Sequence, residues 1–167
     1  MSPLEQPPHF EERDSVYLIE ETSPVGHTVA QLLASAAPES EVTYSIATTE
    51  YGGEESLFQI DQTGRLIISG LLDREKRSVH HLTIMAETNS SPSLVAYTDI
   101  TVKVLDNNDN SPKFQSNPYR VTISESLLPH TNLLQVSALD KDFANNGELR
   151  YSFSEETLPL ANLFSID

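Results

Sequence analysis

Apolar and polar positions alternate with a period of two in four stretches of the chain, Val42-Tyr44-Ile46, Leu82-Ile84-Ala86, Ile100-Val102-Val104 and Tyr119-Val121-Ile123. An extended backbone sends successive side chains to opposite faces, so this spacing predicts strands with one face toward a core. Turn signals at Tyr51-Gly52-Gly53, Thr63-Gly64 and Asn146-Gly147 mark reversals, and no long segment of helical period competes with the strands. Short strands separated by turns predict an all-β fold, an antiparallel β-sandwich. The Cys and Trp landmarks of an antibody-type domain are missing, since the chain has neither residue.

The same pattern occurs twice. Pro8-His9-Phe10 returns as Pro112-Lys113-Phe114, Ile19-x-Glu21 as Ile123-x-Glu125 and Ala34 as Ala138, each offset by 104 positions (125 − 21). Tyr44-Ser45 answers Tyr151-Ser152, and Leu57-Phe58-Gln59-Ile60-Asp61 answers Leu163-Phe164-Ser165-Ile166-Asp167, with a small drift that fits a loop of variable length. Solenoid units are roughly 20–50 residues long, so a repeat of this length is a whole domain. The 167 residues suit one complete domain and part of another.

Composition narrows the function. A formal net charge of −15 argues against nucleic acid and against an acidic membrane surface, both of which need clustered Lys and Arg. With no cysteine, disulfides, zinc–thiolate sites and thiol nucleophiles are excluded, and the redox compartment is not legible. No run of about 18 apolar residues is present, and Met1-Ser2-Pro3-Leu4-Glu5-Gln6-Pro7-Pro8 lacks the basic and apolar regions of a signal peptide. Any secretion signal or anchor of the parent protein is therefore expected outside this segment.

The charge is not spread evenly. Asp106-Asn107-Asn108-Asp109-Asn110-Ser111-Pro112 follows the strand ending at Val104-Leu105 and separates the two units. Carboxylates, amide carbonyls and exposed backbone carbonyls at short spacing are hard oxygen ligands suited to calcium. Asp, Asn and Pro are also ordinary loop formers, so the run alone fits a polar turn equally well.

Three further motifs change that balance. Asp106 to Phe114 resembles the DxNDNxPxF linker of the cadherins in full. Leu72-Asp73-Arg74-Glu75 is similar to their LDRE motif, Glu21 and Glu125 to the early xEx glutamate, and Asp140-Lys141-Asp142 to DxD, all in family order and spacing. The resemblance runs from Pro8 to Asp167. It implies tandem Greek-key cadherin repeats: a complete one at 8–105, a calcium-binding linker at 106–111, and the N-terminal part of a second at 112–167.

The resemblance also implies about three Ca²⁺ at the joint. Glu21, Asp73, Glu75, Asp106 and Asp109 would serve the first two ions, with the Asn107 carbonyl and Asp142 completing the second. The third would use the Asn108 side chain, the carbonyls of Asn110 and Asn146, and Asp140 with Asp142. One more ligand of the third ion normally comes from a later strand, beyond Asp167, which leaves that site incomplete here. Seven carboxylates drawn together repel one another unless cations balance them. The implied role is a calcium-dependent hinge lock at an extracellular joint, in the ectodomain of a membrane-anchored plasma-membrane protein. Its expected partner is another cadherin on an apposed or the same cell, homophilic or heterophilic, with no small-molecule substrate.

Some positions depart from the family. Ala36 and Pro38 stand where the first repeat's DxD belongs, and the segment before Pro8 does not match DxNDN. The N-terminal end is thus expected to lack a full calcium set, as in an outermost repeat or a calcium-free joint. The absence of Trp argues against strand-swapped adhesion through this repeat, leaving a protocadherin-like, Fat-like or Dachsous-like ectodomain as the expected source. Asn89-Ser90-Ser91 is a glycosylation sequon, although Pro92 follows it. His80-His81 cannot share a metal from one strand, because neighbours point to opposite faces, and a surface role is expected for the pair. Paired acids raise the idea of a hydrolase, but no nucleophile elbow, triad or phosphate loop accompanies them. A passive, calcium-independent spacer is the remaining alternative. The second repeat, lacking its last strands, is expected to be unstable on its own.

Overall fold

A computed structural model describes residues 6–38, 40–49, 57–154 and 163–167. The chain divides into two compact units, Met1–Asn107 and Asn108–Asp167. The turn expected at Tyr51-Gly52-Gly53, and residues 2–5 of the segment before Pro8, lie outside the described residues.

The first unit contains β1 (His9–Phe10), β2 (Ser15–Glu20), β3 (Thr28–Gln31), β4 (Ala34–Ser35), β5 (Val42–Thr49), β6 (Phe58–Ile60), β7 (Arg65–Ile68), β8 (Val79–Thr88) and β9 (Val95–Leu105). One sheet runs β2-β9-β8-β5 and a second β3-β7-β6, while β1 pairs with β4. The strands consecutive in sequence, β2 and β3, belong to different sheets, as in the expected sandwich. Among the described residues all pairings are antiparallel except that of β2 with β9, which is parallel, a departure from the purely antiparallel expectation. A parallel neighbour requires a long crossover, and here the rest of the domain supplies it.

The alternation read from the sequence is the burial pattern of the long strands. On β8, His80, Leu82, Ile84, Ala86 and Thr88 are buried, and on β9 Thr98, Ile100, Val102 and Val104. Leu66, Ile68 and Phe58 from the smaller sheet complete the core. Each such apolar side chain contributes roughly 1.5–3 kcal/mol relative to exposure. At the β6–β7 turn Gly64 has φ +82°, and a Cβ there would run into the carbonyl oxygen of Leu32. Its own carbonyl accepts from Leu32 N–H at 2.8 Å, so glycine lets the turn lie flat against the chain below.

The histidine expectation is half corrected. His81 is exposed, but His80 is buried, with its ring edge-on to Phe58 at 5.1 Å. Inward registry on β8 places it there, because its strand position has the parity of Leu82 and Ile84. Burial holds its pKa below the ordinary histidine value, helped by the charge of Arg77.

The second unit has β10 (Lys113–Phe114) antiparallel to β11 (Ala138–Leu139), and one 3₁₀ turn at Ala144–Gly147. Two expectations are corrected here. Asn146-Gly147 lies inside that 3₁₀ turn rather than at a strand reversal, and Tyr119-Val121-Ile123 forms no strand. The counterpart of Tyr119–Ile123 in the first unit is β2, whose ladder is made entirely with β9. The described residues of the second unit contain no equivalent of β9, so period-two patterning there finds no partner.

Candidate metal centre

The parallel pairing of β2 and β9 explains the first group of acids. Its register sets Glu20 opposite Leu105, and Glu21 N–H continues the ladder to the Leu105 carbonyl at 3.2 Å. Two segments far apart in sequence therefore leave the sheet side by side, one at Glu21 and the other at Asp106. Since β8 is antiparallel to β9 and begins with Val79 opposite Lys103, the turn before β8 arrives at the same end. In that turn Leu72 is buried as an anchor, and the Asp73 carbonyl accepts from Lys76 and Arg77 N–H at 3.2 and 2.9 Å. The LDRE residues thus stand beside Glu21 and the root of the linker.

Glu21 is buried, and its carboxylate fastens the group. Oε2 accepts from Arg74 N–H at 3.2 Å and Oε1 from Asn107 N–H at 2.6 Å. A Glu75 carboxylate oxygen lies within 4.8 Å of one from Glu21, and likewise within 4.8 Å of one from Asp106. Asp73 is directed differently: Oδ1 accepts from Lys76 N–H at 3.0 Å, and Oδ2 pairs with Lys76 Nζ at 2.9 Å. The hydrogen bond to Asp73 holds the Lys76 ammonium above its ordinary pKa. Sequence reading missed Arg74, whose guanidinium pairs with Asp106 Oδ1 at 3.2 Å. Its place inside the LDRE motif was the available signal.

In the second unit the antiparallel β10–β11 pair, with Lys113 opposite Leu139, brings the residues before β10 to those after β11. Asn110 N–H donates to both oxygens of the buried Asp142 at 3.2 Å, and Asn110 Nδ2 donates to Asp142 Oδ1 at 2.6 Å and to Asp109 Oδ1 at 2.8 Å. Asp142 N–H donates to Asp140 Oδ1 at 3.0 Å. The 3₁₀ turn carrying Asn146 folds back on this loop, and a Cβ on Gly147 would strike the Asp142 carbonyl oxygen. That close approach requires glycine, another signal the sequence held unread. Asn108 and Asp109 are exposed.

Each unit therefore gathers part of the expected ligand set at one end of a strand pair: Glu21, Glu75, Asp106 and Asn107 in the first, Asp109, Asn110, Asp140, Asp142 and Asn146 in the second. The donors are carboxylates, amides and backbone carbonyls, without His or Cys, and fit a hard cation such as calcium far better than a transition metal. Asn89, the glycosylation candidate, lies at the other end of β8 and is exposed, its Oδ1 accepting from Glu41 N–H at 3.1 Å. Among the described residues no helix is long and apolar enough to cross a membrane.

Comparison with known proteins identifies the family of the fold that carries these residues. A family model described as the cadherin domain matches residues 15–105. Over 160 residues, 96% of this chain, the sequence is 34% identical to the Fat-like cadherin-related tumor suppressor homolog of Drosophila melanogaster, of which it covers 3%. It is 37% identical over 150 residues to Protocadherin Fat 4 of Mus musculus, covering 88% of this chain and 3% of that protein. Among solved structures, Drosophila N-cadherin EC1-4 aligns with a TM-score of 0.73 at 26% identity, over 86% of this chain and 36% of that one. The chain thus spans only a small fraction of the curated relatives it matches.

Proposed function

The chain belongs to the cadherin family, and we propose that it is a calcium-binding ectodomain module whose two units share calcium ions through the linker at 106–111. The observation that carries this reading is the convergence of Glu21, Glu75 and Asp106 through the parallel β2–β9 and antiparallel β8–β9 pairings, which gives a reason for three separated motifs to exist together. The boundaries at 8–105, 106–111 and 112–167 follow from the same reading, and about three ions would suit the donors available.

Bound calcium supplies positive charge that offsets the repulsion among the acids and ties oxygen ligands of both units to shared points. Without it, Glu21, Glu75 and Asp106 on one side, and Asp140 and Asp142 on the other, favour hydration and separation, and the linker is free to bend. Within each unit part of the set is already held in place: Glu21 holds Asn107 and the LDRE turn, and Asn110 holds Asp142, while Asp73 would have to exchange Lys76 for the cation. Adhesion or recognition at the plasma membrane, with another cadherin as partner, is the role that such a stiffened extracellular array would serve. Catalysis plays no part in this reading. An N-glycan on Asn89 is compatible with it, lying at the end of the first unit opposite the linker.

Thermal unfolding in chelator, in millimolar calcium and in equimolar magnesium tests the proposal. Calcium is expected to raise the melting temperature well beyond magnesium, because ligand binding to the native state alone stabilises it by mass action. Identical curves in all three would leave the chain a passive spacer.

A further inference from the structure

We propose that Arg74 is a positioning residue for calcium, holding Asp106 and the root of the linker in the geometry a cation requires; this rests on the calcium reading above. Arg74 bridges two acids that directly follow different strands, Glu21 after β2 and Asp106 after β9. Its backbone N–H donates to Glu21 Oε2 at 3.2 Å and its guanidinium to Asp106 Oδ1 at 3.2 Å, while Glu21 Oε1 accepts from Asn107 N–H at 2.6 Å. Glu21, Arg74, Asp106 and Asn107 thus form a closed circuit that fixes the point at which β9 becomes linker.

The pair is well shielded, with side-chain exposures of 17% for Arg74 and 12% for Asp106. Breaking one partner of such a pair leaves a desolvated charge without compensation. A carboxylate has about four lone-pair sites, so accepting from a guanidinium does not prevent it from serving a cation as well. Partners that orient metal ligands in this manner typically govern 10–100-fold of metal affinity. Lys76, two residues on, provides an internal contrast. It also pairs with an acid of the same turn, Asp73, but its side chain is 83% exposed, and such pairs are weak.

The two roles open to Arg74 move affinity in opposite directions. A cation that merely sits near the site repels calcium, so removing it would tighten binding. A cation that positions a ligand weakens binding when it is lost.

The experiment is a calcium titration by calorimetry of the chain and of Arg74→Gln, Arg74→Lys and Lys76→Gln, with amide exchange of Asn107 followed in chelator. Arg74→Gln is expected to weaken calcium binding about tenfold and to accelerate Asn107 exchange, Arg74→Lys to recover part of both, and Lys76→Gln to change neither by more than about twofold. Affinity that is unchanged or tighter in Arg74→Gln overturns the proposal, as does Lys76→Gln matching Arg74→Gln. Absence of calcium binding by the unsubstituted chain is a different failure and removes the calcium reading itself.

Discussion

Phe10 and Phe114 sit at equivalent places in two copies of one motif and end in opposite surroundings. Phe10 pairs with Ala34 and Phe114 with Ala138, both antiparallel, and the two copies are 104 positions apart (114 − 10). A tyrosine hydroxyl accepts from the alanine N–H in each case, Tyr44 to Ala34 and Tyr151 to Ala138, at 2.9 Å. The phenylalanine and tyrosine ring centroids are 6.3 Å apart in both. Yet Phe10 is 2% exposed and Phe114 58%, and Ile19 is 6% exposed against 45% for Ile123. The local motif is specified by a few neighbouring residues, whereas burial depends on strands that arrive much later in the chain. In the first unit β8 and β9 supply that cover, and the described residues of the second have no counterpart to them.

Paired substitutions sharpen the contrast. Phe10→Ala is expected to destabilise the first unit by about 3–5 kcal/mol, since it empties a buried site, while Phe114→Ala costs under about 1 kcal/mol. Urea denaturation of both variants checks this, and comparable losses would mean that the second unit has a core of its own.

Glu21 and Glu125 form the next pair. Glu21 is buried and holds two backbone N–H groups, so Glu21→Gln is expected to cost about 1–3 kcal/mol in chelator and to weaken calcium binding in addition. Glu125 is exposed, and Glu125→Gln is expected to stay within about 0.5 kcal/mol. Equal effects would break the comparison.

The smallest effect concerns pH. Burial keeps His80 neutral, its pKa below the unfolded value of about 6.5. The unfolded chain therefore takes up this proton first, and stability present above about pH 6.5 is lost as the pH falls toward the folded pKa. His80→Leu is expected to flatten the decline between about pH 7.5 and 5 in chelator, and an unchanged decline in that variant would mean that the buried histidine does not set it. Asp61, held down to about 2 by the Thr63 hydroxyl and backbone N–H bonds, titrates below that window.

Much of this was legible in the sequence for particular reasons. Period-two stretches in the first unit became β5, β8 and β9 because each finds a neighbour in the same domain. The identical pattern at Tyr119–Ile123 did not, because a strand needs a partner that periodicity cannot supply. The acids of the linker, LDRE and DxD motifs were readable as oxygen donors, but what organises them was not. The parallel β2–β9 register has no signature in spacing, and although Arg74 stands inside the LDRE motif and Gly147 beside Asn146, their contacts with Asp106 and Asp142 are set by the fold. His80 is buried rather than on the surface because it shares the inward parity of Leu82, while His81 takes the outward one.

Calorimetric titration of calcium into the chain beside Asp109→Ala tests the central claim most directly. The expected result is saturable binding by the unsubstituted chain, with dissociation constants of roughly 10⁻⁴–10⁻³ M, and clear weakening in Asp109→Ala. Absent binding, or binding indifferent to Asp109, would contradict it.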